Sequence, residues 1–230
     1  MPRRGRPAGR AGARAPRSPR PASPLAISQR EWRAAQQDEA IAERARQLFQ
    51  QGAREEAIAT LEARLRENPG NADLRSLLGI WRLRMNDVAG ARQELERVLA
   101  RHPSHVGAIN NLGLVAEREG KSDEARRRWE AAIRLAPGQT GAHENLGILE
   151  LREGNWSAAV AQLRSAAQMD PASAGVRARL GVALLKNGDR AEARSELLRA
   201  LELDPEQPIA RRNLASLEAK AAPTSGENSP

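Results

Sequence analysis

Apolar residues along this chain fall into paired helical stripes, with a turn between the two stripes of each pair. Leu112, Val115 and Ala116 follow three- and four-residue spacing ahead of Gly120, and Ala125, Trp129, Ala132 and Ile133 do so after it. That spacing puts the apolar side chains on one face of an α-helix. The pattern predicts a helix, a tight turn and a second helix, each with one face to bury. Gly120 suits the turn because it tolerates the left-handed backbone that ends a helix. Asp123 and Glu124 then complement the positive end of the next helix's dipole.

The same arrangement returns every thirty-four residues. Prolines stand at 69, 103, 137, 171 and 205, alanines at 57, 91, 125, 159 and 193, and turn formers at Gly52, Asn86, Gly120, Gly154 and Gly188. Three residue types locked to one period predict an all-α solenoid of antiparallel helix pairs, in which each unit packs on its neighbours. The recurrent proline is expected to stop the second helix of each unit, because it has no N–H to donate to the backbone ladder. The predicted units are 38–71, 72–105, 106–139, 140–173 and 174–207. After Pro205 one more stripe, Ala210, Leu214 and Leu217, predicts a capping helix over 208–221, with Pro208 in its first turn. Ahead of the array, Ser28 and Glu31 form a capping-box pattern that predicts a long first helix from Ser28 to about Gln51. Residues 25–37 form its N-terminal extension, and this segment with Trp32 is expected to shield the first unit, where Arg44 and Arg64 occupy places that call for apolar side chains.

Composition changes this picture at the ends. The formal net charge is +8, but residues 1–24 hold seven arginines, six prolines and no acid, which leaves +1 for the rest. Such a segment cannot bury a core and is expected to be a disordered basic tail, as is the polar segment 222–230. Aromatic residues are 2% of the chain, so the core must be built from Ala, Leu, Ile and Val. Trp81, Trp129 and Trp156 follow helical spacing and are expected in that core. With no cysteine, the sequence has no disulfide or thiolate chemistry. No apolar run reaches the length of a membrane span. The reading is a cytoplasmic chain with no membrane contact.

Aligned on their period, the units resemble the tetratricopeptide repeat. The family's small residue of the first helix appears as Ala45, Gly79, Gly113, Gly147 and Gly181, and its large apolar residue of the second helix as Leu61, Leu95, Trp129, Leu163 and Leu197. The resemblance implies a concave groove, lined by the first helices, that holds a peptide or protein segment. It places Asn111, Asn145 and Arg179 at one recurrent inward position, and Arg118, Arg152 and Lys186, preceded by Arg84, at another. The Asn-Leu-Gly runs at Asn111 and Asn145 are similar to the repeats of O-linked N-acetylglucosamine transferase, where such asparagines hold peptide backbone. An amide can both donate to and accept from an extended chain. The solvent-facing arginines are also consistent with simple placement near a helix C-terminus. Glu39, Glu43 and Asp73 lie toward the groove's start and the cations toward its end, so the expected ligand is an acidic or carboxylate-terminated segment. Leu114 and Gly175 stand where the carboxylate clamp of chaperone-tail adaptors needs polar groups, which argues against that particular function.

No catalytic constellation accompanies these features. His102 and His105 alone give too few ligands for a metal, and His143 has no nucleophile or carboxylate in a catalytic pattern. There is no phosphate loop or nucleophile elbow. The expected function is a noncatalytic interaction scaffold that needs no cofactor. The alternatives are the regulatory subunit of an enzyme, or a nucleic-acid-associated adaptor whose 1–24 tail binds phosphates without sequence specificity.

Overall fold

The computed structural model describes residues 28–221, so the 1–24 and 222–230 tails lie outside the described residues. Eleven helices follow one another among those residues. They are α1 Gln29–Gln50, α2 Arg54–Glu67, α3 Ala72–Arg84, α4 Val88–Arg101, α5 Val106–Arg118, α6 Ser122–Leu135, α7 Thr140–Glu153, α8 Trp156–Met169, α9 Ala174–Asn187, α10 Arg190–Leu203 and α11 Pro208–Ala221. Each odd-numbered helix from α1 to α9 pairs with the helix after it, and each pair packs on the next. The result is an all-α solenoid closed by α11.

The local signals act where the pattern places them. Glu31 N–H donates to Ser28 Oγ at 3.2 Å and Ser28 N–H to the Glu31 carboxylate at 2.9 Å, so α1 starts on a complete capping box. The turn inside each pair has positive φ, and Asn86, at 67°, is the one non-glycine residue to adopt it among the described residues. The second helix of each pair ends two residues before the recurrent proline. The residue just ahead of that proline is pushed out of the α region, as at Asp204 with ψ 99°.

Close helix contact explains the recurrent small residues. All five period-locked alanines, Ala57 to Ala193, are fully buried. A Cβ added to Gly79, Gly147 or Gly181 would come within 2.8 Å or less of Leu95, Leu163 or Leu197, and one on Gly113 would strike the Trp129 indole. Trp81 and Trp129 are core residues, with Trp81 stacked on Phe49 at 4.6 Å. Trp156 departs from expectation: at the first position of α8 it stays half-buried, with the Lys186 amine 5.8 Å from its ring.

The first unit is also stabilised differently from expectation. Trp32 is 56% exposed, and it is the Ala34 carbonyl of the same segment that accepts from Arg64, at 3.4 Å. The misplaced Arg64 also meets Asp38 of α1 at 2.5 Å, and the side-chain amides of Asn68 and Asn71 donate to the same carboxylate.

A second set of polar contacts braces helix pairs at one recurrent place. Arg75 binds Glu94 at 2.6 Å and the Pro69 carbonyl at 2.9 Å, and Arg177 repeats this with Glu196 and Pro171. His143 takes the arginine's place between them, its ring nitrogens 2.7 Å from Gln162 Oε1 and 3.1 Å from the Pro137 carbonyl oxygen. That is a structural use of a buried histidine.

Arg92 links α4 to the following pair through Glu119 at 2.8 Å and Glu124 at 3.1 Å. The hydrogen bond from Arg92, then that from Lys121, hold the Glu119 carboxyl down at about 2. A carboxylate with a lowered folded-state pKa stabilises the fold above its unfolded value, near 4.5, and that stabilisation is lost as pH falls toward 2. Calorimetry across this window should show the thermal midpoint falling, and Glu119→Gln should make the fall shallower. An unchanged slope in the variant would mean that the Arg92 bridge adds nothing to acid stability.

Candidate functional site

The odd-numbered helices from α3 to α11 contact one another successively, and the even-numbered helices make no comparable contacts. The odd-numbered face is therefore the inner side of the curve. Its surface is set by side chains near the middle and end of each first helix.

Across the middle of this face, neighbouring first helices are tied by rungs. Asn111 donates to Ser76 Oγ at 3.4 Å, Asn145 donates to Asn110 Oδ1 at 3.2 Å, and Arg179 meets Glu144 at 3.0 Å. Each rung joins residues thirty-five apart, one more than the period. The corresponding places nearer the N-terminus hold Ala42 and Leu77, in one apolar cluster. Rung chemistry thus runs from apolar, through hydroxyl–amide and amide–amide, to an ion pair. A further rung toward the helix ends joins Arg152 to Glu117 at 2.5 Å. The asparagine and arginine columns are legible in the sequence. Ser76, Asn110, Glu117 and Glu144 are missed there, because each belongs to a different column from its partner.

Four of the predicted residues, Arg84, Asn111, Arg118 and Arg152, share one cleft. Between α3, α5 and α7 lies a depression of about 640 Å³, floored by Ile80, Leu83 and Leu114 and edged by Arg84, Asn111, Glu117, Arg118 and Arg152. Arg118 is exposed and donates to Asn86 Oδ1 at 3.3 Å, with no carboxylate partner among the described residues. Arg84 lies 6.0 Å from the Phe49 ring centroid, a cation–π approach that leaves its charge uncompensated. Three guanidinium groups against one carboxylate leave the cleft about two charges positive.

The other predicted residues lie apart from it. Asn145 and Arg179 are half-buried in their rungs. Lys186 is exposed in a smaller cleft between α9 and α11, beside Val182, Leu185 and Asn213. Glu39 and Glu43 are both engaged by Arg46, and Asp73 meets the ring of His105 at 3.1 Å. His105 Nδ1 accepts from Ala108 N–H at the start of α5, so this histidine caps a helix.

Among the described residues no three His, Asp or Glu side chains are grouped as a metal site would require, and no helix is long and apolar enough to cross a membrane. On the inner face, the cleft between α3, α5 and α7 combines an apolar floor with a cationic rim. These features define a repeat solenoid of the protein-interaction class.

The tetratricopeptide repeat profile matches residues 48–112 and 150–220, and a second tetratricopeptide repeat profile matches 110–174. The chain belongs to the tetratricopeptide repeat family. A comparison with curated proteins returns no match. Among solved structures it is similar to TTC0263, a thermophilic TPR protein of Thermus thermophilus, at 23% identity and a TM-score of 0.66, covering 79% of this chain and 99% of that one. It is also similar to the Cut9–Hcn1 hetero-tetramer structure, at 19% identity and a TM-score of 0.71, over 78% of this chain and 36% of the other. A third likeness is to YrrB, a TPR protein with an unusual peptide-binding site, at 21% identity and a TM-score of 0.53, covering 79% and 91% of the two chains. At these identities the likeness establishes the fold. Membership of the family points to a protein–protein interaction module, and such repeats typically act as noncatalytic scaffolds.

Proposed function

We propose that this protein is a noncatalytic scaffold whose inner groove captures an acidic or carboxylate-terminated segment of a partner protein, supporting assembly of a complex. The observation that carries the reading is the cleft between α3, α5 and α7, where an apolar floor lies beneath three arginines and a single glutamate. An apolar ligand side chain covers Ile80, Leu83 and Leu114 while its carboxylates meet Arg84, Arg118 and Arg152. Arg118, unpaired with any carboxylate among the described residues, is the first contact, and Arg152 contributes once it is shared between the ligand and Glu117. Asn111 offers amide contacts to ligand backbone at the cleft's edge. Asn145, Arg179 and Lys186 continue the track toward α11. The peptide-binding site of YrrB, on the same fold, supports a peptide as occupant.

Rim charges act on encounter and salt dependence more than on buried packing. A fluorescein-labelled peptide rich in Asp and Glu around one leucine should bind the full chain, and binding should weaken as salt rises. Arg118→Glu with Arg152→Glu should weaken it by roughly tenfold or more. Arg66→Glu, an exposed charge on α2, should leave it unchanged. Equal affinity in all three proteins would reject the groove as the site.

A further inference from the structure

The outer edge of the solenoid carries an unpartnered stripe. The last residues of α6, α8 and α10 are Leu135, Met169 and Leu203, thirty-four apart, and they are 48%, 39% and 46% exposed. The equivalent places in α2 and α4 hold Glu67 and Arg101, so the stripe spans the last three pairs alone. The residue before each stripe member reads Arg134, Gln168 and Glu202. The residues flanking the stripe therefore run from positive at Arg134 to negative at Glu202, with Asp170 next to Met169 at its middle.

The charges beside the stripe make no ion pairs among the described residues. Ion pairs connect the helices throughout the array, including Arg92, Arg126, Arg177 and Arg179. Arg127 and Arg134 at one end of the stripe, Asp170 at its middle, and Glu202 and Asp204 at the other end have no ion pair among the described residues, and Asp204 accepts from Glu206 N–H at 3.0 Å. A cleft of about 720 Å³ opens beside Leu135, with Leu99, Ile109 and Ala131 in its wall and Arg127 and Arg134 on its rim. It opens where the recurrent brace is missing. Ile109 and Arg128 stand in the places that hold Arg75 and Glu94, His143 and Gln162, and Arg177 and Glu196 in the second, fourth and fifth pairs; the first pair, with Ile41 and Thr60 there, lacks the brace as well.

An antiparallel two-fold axis through Met169 would match this surface to itself. Leu135 would lie opposite Leu203, Met169 opposite Met169, and Arg134 opposite Glu202, twice over. An isologous interface requires this self-complementarity. We propose that a second copy of this chain docks here, the Leu203 of each copy entering the other's cleft beside Leu135, to form a closed two-fold dimer. The same knob and hole joined head to tail would leave an open end and grow filaments. The patch is small beside stable interfaces, which bury roughly 1,200–2,000 Å², so the dimer dissociates on dilution. The stripe lies away from the inner groove, and the inference is independent of the function proposed for that groove.

Sedimentation velocity of the full chain, from micromolar to near-millimolar concentration, tests this. The chain should pass from monomer to dimer, and Met169→Glu, which brings two like charges together on the axis, should abolish the dimer. Arg134→Glu or Glu202→Arg alone should weaken association by roughly tenfold, because each sets like charges opposite one another. The double variant Arg134→Glu/Glu202→Arg should restore it. Helical circular dichroism establishes that each variant is folded. A chain that stays monomeric, a dimer indifferent to Met169→Glu, no recovery in the double variant, or growth into filaments would each overturn the proposal.

Discussion

Replacing Trp129 with alanine is expected to destabilise the protein by about 3–5 kcal/mol, the range for truncating a fully buried large aromatic side chain. Trp129 has no exposed surface, its indole N–H donates to the Asn110 carbonyl at 3.1 Å, and its ring lies against Gly113, where no Cβ fits. Truncation leaves a cavity between α5 and α6 that the surrounding helices close only in part. The position within the array adds to the effect. Stability in a solenoid is close to a sum of unit and neighbour-interface terms. Failure at the middle pair uncouples the two ends, so urea unfolding should lose its single transition as well as shift. Trp129→Leu should recover much of the loss, because leucine fills the equivalent place at Leu95, Leu163 and Leu197 against a glycine in the same position. A midpoint shift worth less than about 1 kcal/mol for Trp129→Ala would contradict the packing described here.

The second large effect is expected at Asp38. This carboxylate is 7% exposed and accepts from Arg64, Asn68 and Asn71. Burial pushes its pKa up, but the hydrogen bonds from Arg64, Asn71 and Asn68 together outweigh burial and lower it. Asp38→Ala would leave the Arg64 guanidinium, 12% exposed, with the Glu67 carboxylate at 2.8 Å and the Ala34 carbonyl at 3.4 Å. Removing one member of a buried ion pair costs about 3–5 kcal/mol, because the remaining charge stays desolvated. The loss should be local. Amide exchange in α1 and α2 should accelerate strongly, with α7 to α10 little changed. Uniform acceleration along the chain, or none in α1 and α2, would show that the Asp38 network does not hold the first pair.

The contrast between these two sites shows what a sequence discloses. Trp129 and its glycine are legible because close helix approach and turn backbone each restrict one position to a few residue types, and the restriction recurs with the period. Ser28, Pro208 and the five turn residues are legible for the same reason. Asp38 is not. Arg64 looks like a flaw when its own position is considered alone, and its partner lies twenty-six residues away in the preceding helix. The inner-face rungs are hidden in the same way, since reading each recurrent position separately cannot reveal a pairing offset by thirty-five. Arg152 and Arg179 therefore look like free cations in the sequence, though Glu117 and Glu144 hold them. Trp156 is misplaced by its spacing because the first turn of a helix leaves one side open to solvent, which spacing does not register.

Glu117 supplies the most direct test of the inner groove as an acidic-segment site, because it is the one carboxylate on the cleft among the described residues and would compete with an acidic ligand for Arg152. The measurement is the affinity of the labelled Asp/Glu-rich peptide for the full chain carrying Glu117→Gln or Arg118→Glu. Opposite changes are expected: Glu117→Gln should tighten binding by roughly two- to fivefold, the worth of one rim charge, and Arg118→Glu should weaken it. Affinities that move together, or do not move, would contradict the inner groove as that site.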